Sequence, residues 1–275
     1  LKFLILSFIY HFHIFANFPK DNLQFTIYNI ANYHLSKGKT MAADTKQTKR
    51  FIFGTPIWIG TLAIIALFLL LPATKNMFLS ATASHPYLMG FVKFAILSIM
   101  GEFLAKRIVT GQWQMVGGVL QKMFVWGVLG VAIVLMFALY TGGVDSASAS
   151  GLLYTGYPDI KILRAFYISA IMNLTFGPVF MAAHRITDTW IDSRVNAKKR
   201  KSVETVTENQ MPSLGQVVSS IDWPGFVKFV VGKTIPLFWI PAHTITFLLP
   251  DQYKVIFAAS LSIVLGLILS IAKNR

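Results

Sequence analysis

The sequence predicts an all-α integral membrane protein, a bundle of about six transmembrane helices with both termini in the cytoplasm. Three observations predict it. Of the 275 residues, 55% are hydrophobic and 13% charged, and the mean hydropathy is +0.59, far from the balance of a soluble domain. The apolar residues gather into runs near the roughly 20 residues that a helix needs to cross the hydrocarbon core. The basic residues collect in alternate connections between those runs.

There is no cysteine, which excludes disulfides, thiolate metal sites and a cysteine nucleophile. The net charge of +14 would point to nucleic acid in a soluble chain. Here the bilayer is the partner, and basic residues in loops set orientation. The single basic run has no aromatic interleaving, so nucleic acid is not expected to bind. The sequence leaves a homo-oligomer open.

The chain opens with Leu1, and its first methionine is Met41, preceded by Lys37-Gly38-Lys39-Thr40. That tetrapeptide reverse-translates to a purine-rich stretch ahead of ATG, as in a bacterial ribosome-binding site. Residues 1–40 are therefore expected to be translated upstream DNA or a disordered extension, and residues 41–275 a single polytopic membrane domain. As a signal or extra span the first segment fits less well. In its apolar part, Leu1 to Phe18, only Lys2 supplies a basic n-region, His11 and His13 interrupt the apolar run, and no small-residue cleavage site follows.

Six apolar runs follow: Phe53 to Leu71, Pro86 to Leu104, Gly118 to Tyr140, Ile162 to Ala182, Pro224 to Leu249, and Lys254 to Ala272. No soluble domain intervenes. The longest polar stretch, His184 to Asp222, is expected to be a cytoplasmic loop with Lys198, Lys199, Arg200 and Lys201 at its centre. Lys46, Lys49 and Arg50, then Lys106 and Arg107, then Arg185, Arg194 and that basic run, then Lys273 and Arg275 all fall on one side of such a bundle. The other side holds Lys75, Lys161 and Lys254 together with Asp145, Asp159 and Asp251. The positive-inside rule puts the first set in the cytoplasm. Lys198 to Lys201 could hold the loop against anionic headgroups at about 1 kcal/mol per charge, or be simply solvated, since Glu204 and Glu208 follow.

The fifth run holds the most chemistry. It carries Lys228, Lys233 and His243 among Pro224, Pro236 and Pro241, which remove backbone donors. An unpaired charge or backbone group in lipid is costly, so this segment should face other helices or a wet cavity. Lys233 is the deepest charge, and Lys228 can reach the headgroups. Thr244 and Thr246 can satisfy carbonyls released by Pro241. His243 is either a neutral hydrogen-bonded histidine or a proton carrier. No second His or carboxylate stands beside it at ligand spacing, so no metal is expected, and no cofactor motif is present.

Elsewhere, Glu102 precedes Lys106 by one turn, which predicts a local ion pair. Lys93 lies on the opposite face from Glu102 and needs a partner from another helix. Asn173 and Thr175, before Gly177-Pro178, could bond across helices, and Gly127 with Gly130 reads as a packing face. There is no nucleophile with a base, no paired carboxylates and no phosphate-cradling glycine loop, so no enzyme is indicated.

Several of these positions fall in short motifs. His85-Pro86 opens the second run and Gly101-Glu102 lies within it. Gly177-Pro178 is followed by Asp188 near the span end, and Trp223-Pro224, Phe247, Pro250 and Tyr253-Lys254 mark the closing segment. In these the chain resembles the Mpv-seventeen and peroxisomal-membrane-protein-twenty-two family of small membrane proteins of peroxisomes and the mitochondrial inner membrane. It departs from the family at Glu102 (Asp there), Lys254 (Arg there) and His184-Arg185 (Trp-Tyr there). The family's four spans correspond to the second, fourth, fifth and sixth runs. The resemblance covers about two thirds of the chain and implies a pore or carrier for small solutes.

The expected function is a channel or transporter for small solutes in a bacterial cytoplasmic membrane. Its fifth helix would be interrupted at Pro236 and Pro241, and Lys233, His243, Lys93, Asn173 and Thr244 would line the pathway. The alternative is a non-transporting scaffold or assembly factor whose polar groups satisfy one another. Peptide mapping of the protein from its native host is expected to recover no peptide from Asp21 to Lys37; finding one would show that the leader belongs to the protein.

Overall fold

The computed structural model describes residues 54–156, 160–201 and 211–273. The expectations for residues 1–40 and for Lys46, Lys49 and Arg50 lie outside the described residues. Among the described residues eight helices follow one another: α1 (Gly54–Leu70), α2 (Pro72–Ser84), α3 (Pro86–Thr110), α4 (Val119–Ala149), α5 (Lys161–Lys201), the short α6 (Leu214–Ser219), α7 (Trp223–Leu248) and α8 (Asp251–Lys273).

Among the described residues four helices are long and apolar enough to cross a membrane: Pro86–Ile108, Val119–Ala149, Lys161–Lys198 and Trp223–Leu248. The count becomes five if α1 and α2 form one broken span, because they meet at an angle of 87°. The first of the six expected runs is thus followed by a second helix where a loop was expected. The cause is local. Pro72 disfavours helical backbone at the residue before it, Leu71 is extended (φ −69°, ψ 126°), and Pro72 starts a new helix. The sixth run forms the 23-residue α8.

α3 is the hub. It packs along α4 on one side and α8 on another, while α7 lies against α5. Close approach at two places requires glycine. A Cβ on Gly130 of α4 would stand 2.5 Å from the Gly90 carbonyl oxygen of α3, and one on Gly101 of α3 would meet the Ser262 backbone of α8 at 3.0 Å. Between these contacts sits a core built on Phe94, Leu97, Phe137, Ile168, Met172 and Phe247. Outward, large apolar side chains are left bare: Leu120, Phe124, Leu139, Leu174 and Val179 are 55–77% exposed. A soluble protein rarely leaves so much apolar surface open, and these faces fit a multi-span membrane protein.

α3 stops at Gly111, and α4 starts after Gly118; both glycines have left-handed backbone (φ 73° and 66°). α5 does not stop where its apolar run does. The stretch expected as a loop from His184 is helical to Lys201, making a helix of 41 residues, or ~62 Å at 1.5 Å per residue. No Gly or Pro lies between Pro178 and Lys201 to end it, and Arg194 lies over the Trp190 ring one turn earlier. A fall in hydropathy marks a change of surroundings, not a helix end. Further along the same stretch Ser213 and Gln216 close a capping box at the start of α6.

α7 also differs from expectation. It is helical throughout rather than broken at Pro236 and Pro241, but Phe226–Trp239 is wound as a π-helix that passes into α-helix at Ile240. The Ile240 N–H reaches back five residues to the Ile235 carbonyl. Pro236 can neither donate nor tolerate the carbonyl one α-turn earlier, and the wider turn absorbs that conflict.

Gly130→Ala is expected to destabilise the protein by about 1–3 kcal/mol through overpacking of α3 on α4. Gly142→Ala, with open space around it, is expected to be neutral or stabilising by up to about 1 kcal/mol. Thermal unfolding in detergent measures both; equal effects would show that α3 and α4 are not held at contact.

Candidate functional site

Two groups of polar side chains in the bundle interior are connected by a cavity. The first is ionic and lies where the apolar stretches of α3, α4 and α5 end. Lys122, 6% exposed, stands 3.3 Å from Glu102 of α3 and 3.2 Å from Asp192 of α5, and is also paired with Asp188 of α5. Trp126, one turn after Lys122, donates its indole N–H to Glu102 at 2.6 Å. Its ring lies 4.2 Å from that of His184. The expected Glu102–Lys106 pair gives way to this arrangement. Lys106 donates to the Met115 carbonyl in the α3–α4 connection, and Glu102 faces α4, where a buried ammonium holds it more strongly than an exposed i,i+4 partner would.

The second group joins α5 to α7. Asn173 meets His243 Nδ1 with its side-chain amide (3.0 Å to Nδ2, 3.1 Å to Oδ1) and donates to the Ser169 carbonyl at 2.8 Å. Ser169 in turn donates to the Ile240 carbonyl at 2.7 Å, as does Thr244 at 2.8 Å. These hydroxyls serve the backbone where α7 changes winding. His243 stacks on Trp239 one turn earlier, with centroids 5.4 Å apart and planes at 27°. Gly177 keeps the wall of α5 flat enough for Ile235 of α7 to approach.

Between the groups lies a cavity of about 200 Å³. Its walls are mostly apolar, with Glu102, Trp126 and His184 at the ionic end and Asn173, Trp239 and His243 towards α7. Ser98 of α3 and Ser262 of α8 also line it. Three buried polar atoms on these walls have no hydrogen-bond partner: Ser98 Oγ, His184 Nδ1 and Trp239 Nε1. A buried polar atom left unmade costs about 1–3 kcal/mol, and all three residues border this one space. Among the described residues no group of three or more His, Asp or Glu is arranged to hold a metal ion.

Of the residues singled out from the sequence, His243, Asn173, Gly101, Glu102 and Gly177 line this cavity. Asp188 sits beside it on Lys122. Lys233 is partly buried and is not on the cavity wall, nor are Pro236, Pro241 and Thr244. Lys93 is buried elsewhere, donating to Thr82 of α2 at 2.9 Å with Phe78 4.4 Å below it. It takes its partner from the unexpected helix. Pro178 lies inside α5. His85 and Pro86 form the α2–α3 joint, where His85 caps both helices. Trp223 donates to the Val218 carbonyl at 3.1 Å, next to Pro224 at the α7 start. Phe247 is core, Tyr253 N–H bonds to Pro250 at the α8 start, and Lys254 pairs with Asp251 at 2.5 Å. Sequence reasoning missed Ser98, Lys122, Trp126 and Trp239. Lys122 gives no sign of its role in the sequence, because its acidic partners stand on other helices at no local spacing.

Among the described residues these features define an all-helical fold with several apolar helices fit for a membrane and a mixed polar and aromatic cavity between them. The chain matches no protein-family model, no curated protein and no solved structure.

Lys122→Met is expected to destabilise the protein by about 3 kcal/mol, the low end for a broken buried ion pair because the carboxylates are partly exposed. Adding Asp188→Asn and Asp192→Asn should recover part of the loss. Unfolding of the three proteins in detergent measures this, and a loss under about 0.5 kcal/mol, typical of a surface pair, would contradict the buried network.

Proposed function

We propose that this protein is a membrane carrier or channel for a small solute, and that the solute passes through the cavity between α3, α4, α5, α7 and α8. The observation that carries the reading is an unfilled space of about 200 Å³ between packed helices, with polar residues at both of its ends. A bundle serving only as scaffold would close such a space. The pathway then involves His243, Asn173, Ser98, His184 and Glu102. Lys233 and Lys93 lie off it.

In this reading the N- and C-termini and the basic end of α5 are cytoplasmic, following the positive-inside rule. The run from Lys198 to Lys201 contacts anionic headgroups, and the membrane is a bacterial cytoplasmic one. The resemblance to the peroxisomal and mitochondrial membrane-protein family belongs to the same proposal. Its support is that Gly101, Glu102 and Gly177 lie on the cavity wall and Asp188 on Lys122.

The scaffold reading has one observation in its favour. The Lys122 cluster and the Asn173–His243 pair satisfy themselves without a solute. Release of trapped small solutes from liposomes separates the two. The wild type and Lys233→Ala should release solute above empty vesicles, whereas Met181→Trp, which fills the cavity from α5, should fall to the level of empty vesicles while still folded. No release by well-inserted wild type over a broad panel of small solutes favours the scaffold.

A further inference from the structure

What the cavity can hold follows from its size and its walls, and rests on reading it as a solute site. Its volume of about 200 Å³ exceeds the ~150 Å³ of an apolar protein cavity that stays dry and takes one benzene, so the space fits a single ring with a small substituent. Phe94, Trp126, Phe176, Phe180 and Trp239 stand in its walls, and aromatic neighbours favour a flat ring by stacking and edge contacts. A flexible chain gains no such contact and loses rotamer freedom on entering.

Charge decides the next property. Among the described residues no Lys or Arg lines the cavity, and Glu102 is its one carboxylate. Glu102 is already bonded to Trp126 at 2.6 Å and to Lys122 at 3.3 Å. An anion would enter an apolar space with no cation to meet it and a carboxylate at one end. A cation would have to displace Lys122 from Glu102. Either cost exceeds what an uncharged molecule incurs.

Polarity decides the last. The Asn173 amide is engaged by His243 Nδ1 at 3.0 Å and by the Ser169 carbonyl at 2.8 Å, and the Ser262 hydroxyl donates to the Ala259 carbonyl at 2.9 Å. Ser98 Oγ, His184 Nδ1 and Trp239 Nε1 are sealed inside the walls with next to no accessible surface, so a molecule in the cavity cannot reach them. What meets it is mainly carbon, from Ile133, Met172, Met181, Ile235 and the aromatic rings. A polar molecule would give up its hydrogen bonds to water and regain few of them. We propose that the cavity binds one uncharged, apolar molecule built on a single aromatic ring.

Three compounds with the same number of carbons test it: toluene, n-heptane in place of a lipid or detergent chain, and benzoate with a charge. Equilibrium dialysis against the purified full chain in detergent, corrected for empty micelles, is expected to show saturable toluene binding. Heptane should bind about fivefold more weakly, the factor for an aromatic contact of about 1 kcal/mol, and benzoate not measurably. Met181→Trp, which fills the cavity from α5, should abolish toluene binding, and Ala258→Leu fills it from α8 should that variant not fold. Lys233→Ala, off the cavity wall, should bind toluene as the wild type does. Heptane or benzoate binding as tightly as toluene, toluene binding that survives the filling variants, or no saturable binding at all would each overturn the proposal. Binding without liposome release sinks the carrier reading alone, and release without this selectivity sinks the ligand assignment alone.

Discussion

The Lys122 ammonium is the point on which the bundle turns. It is buried among carboxylates from α3 and α5 while its own helix, α4, lies between them. Three acids around one base leave a formal excess of negative charge, so the arrangement depends on the ammonium staying in place. Glu102 has a second donor in Trp126, which ties the charge to the aromatic wall. Because Trp126 also packs on His184, the ionic cluster forms the floor of the cavity. Register between three helices and the shape of the internal space thus follow from one charge.

The opposite polar group answers a different need. α7 carries Pro236 in its interior, where a proline removes a donor and crowds the carbonyl one turn earlier. It meets this by widening its winding, and the neighbouring α5 supplies Ser169 to a carbonyl at the transition. Asn173, one turn along α5, then holds His243. The structure uses hydroxyls and an amide where a soluble protein would use water, as an apolar surrounding demands. At the far end the bundle is closed by Arg164 of α5 gripping Asp145 of α4 through two hydrogen bonds of 2.5 and 2.7 Å.

Glycine sets how closely these elements meet. The α3–α4 contact at Gly90 and Gly130 and the α3–α8 contact at Gly101 bring backbones together without side chains between them. Association in lipid relies on such packing because apolar burial offers little there. The cavity opens beside these contacts, where Ser98, Ala258 and Ala259 are too small to fill the space that the glycine contact holds at a fixed width.

The sequence by itself determined the helical class, the apolar runs and the paired glycines of α4, because composition and periodicity are local properties. It also marked His243 and Asn173, since a polar residue in an apolar run is conspicuous wherever it ends up. Tertiary structure alone decided the rest. Glu102 looked satisfied by Lys106 until α4 brought Lys122 to it, and Lys233 looked central but is not among the residues that line the cavity. Trp239 and Ser98 carry no signal in an apolar segment, and only the packing of the helices puts them on the cavity wall. Local spacing records which residues share a helix face; it does not record which face meets which, and a site made of five helices exists only in that second relation.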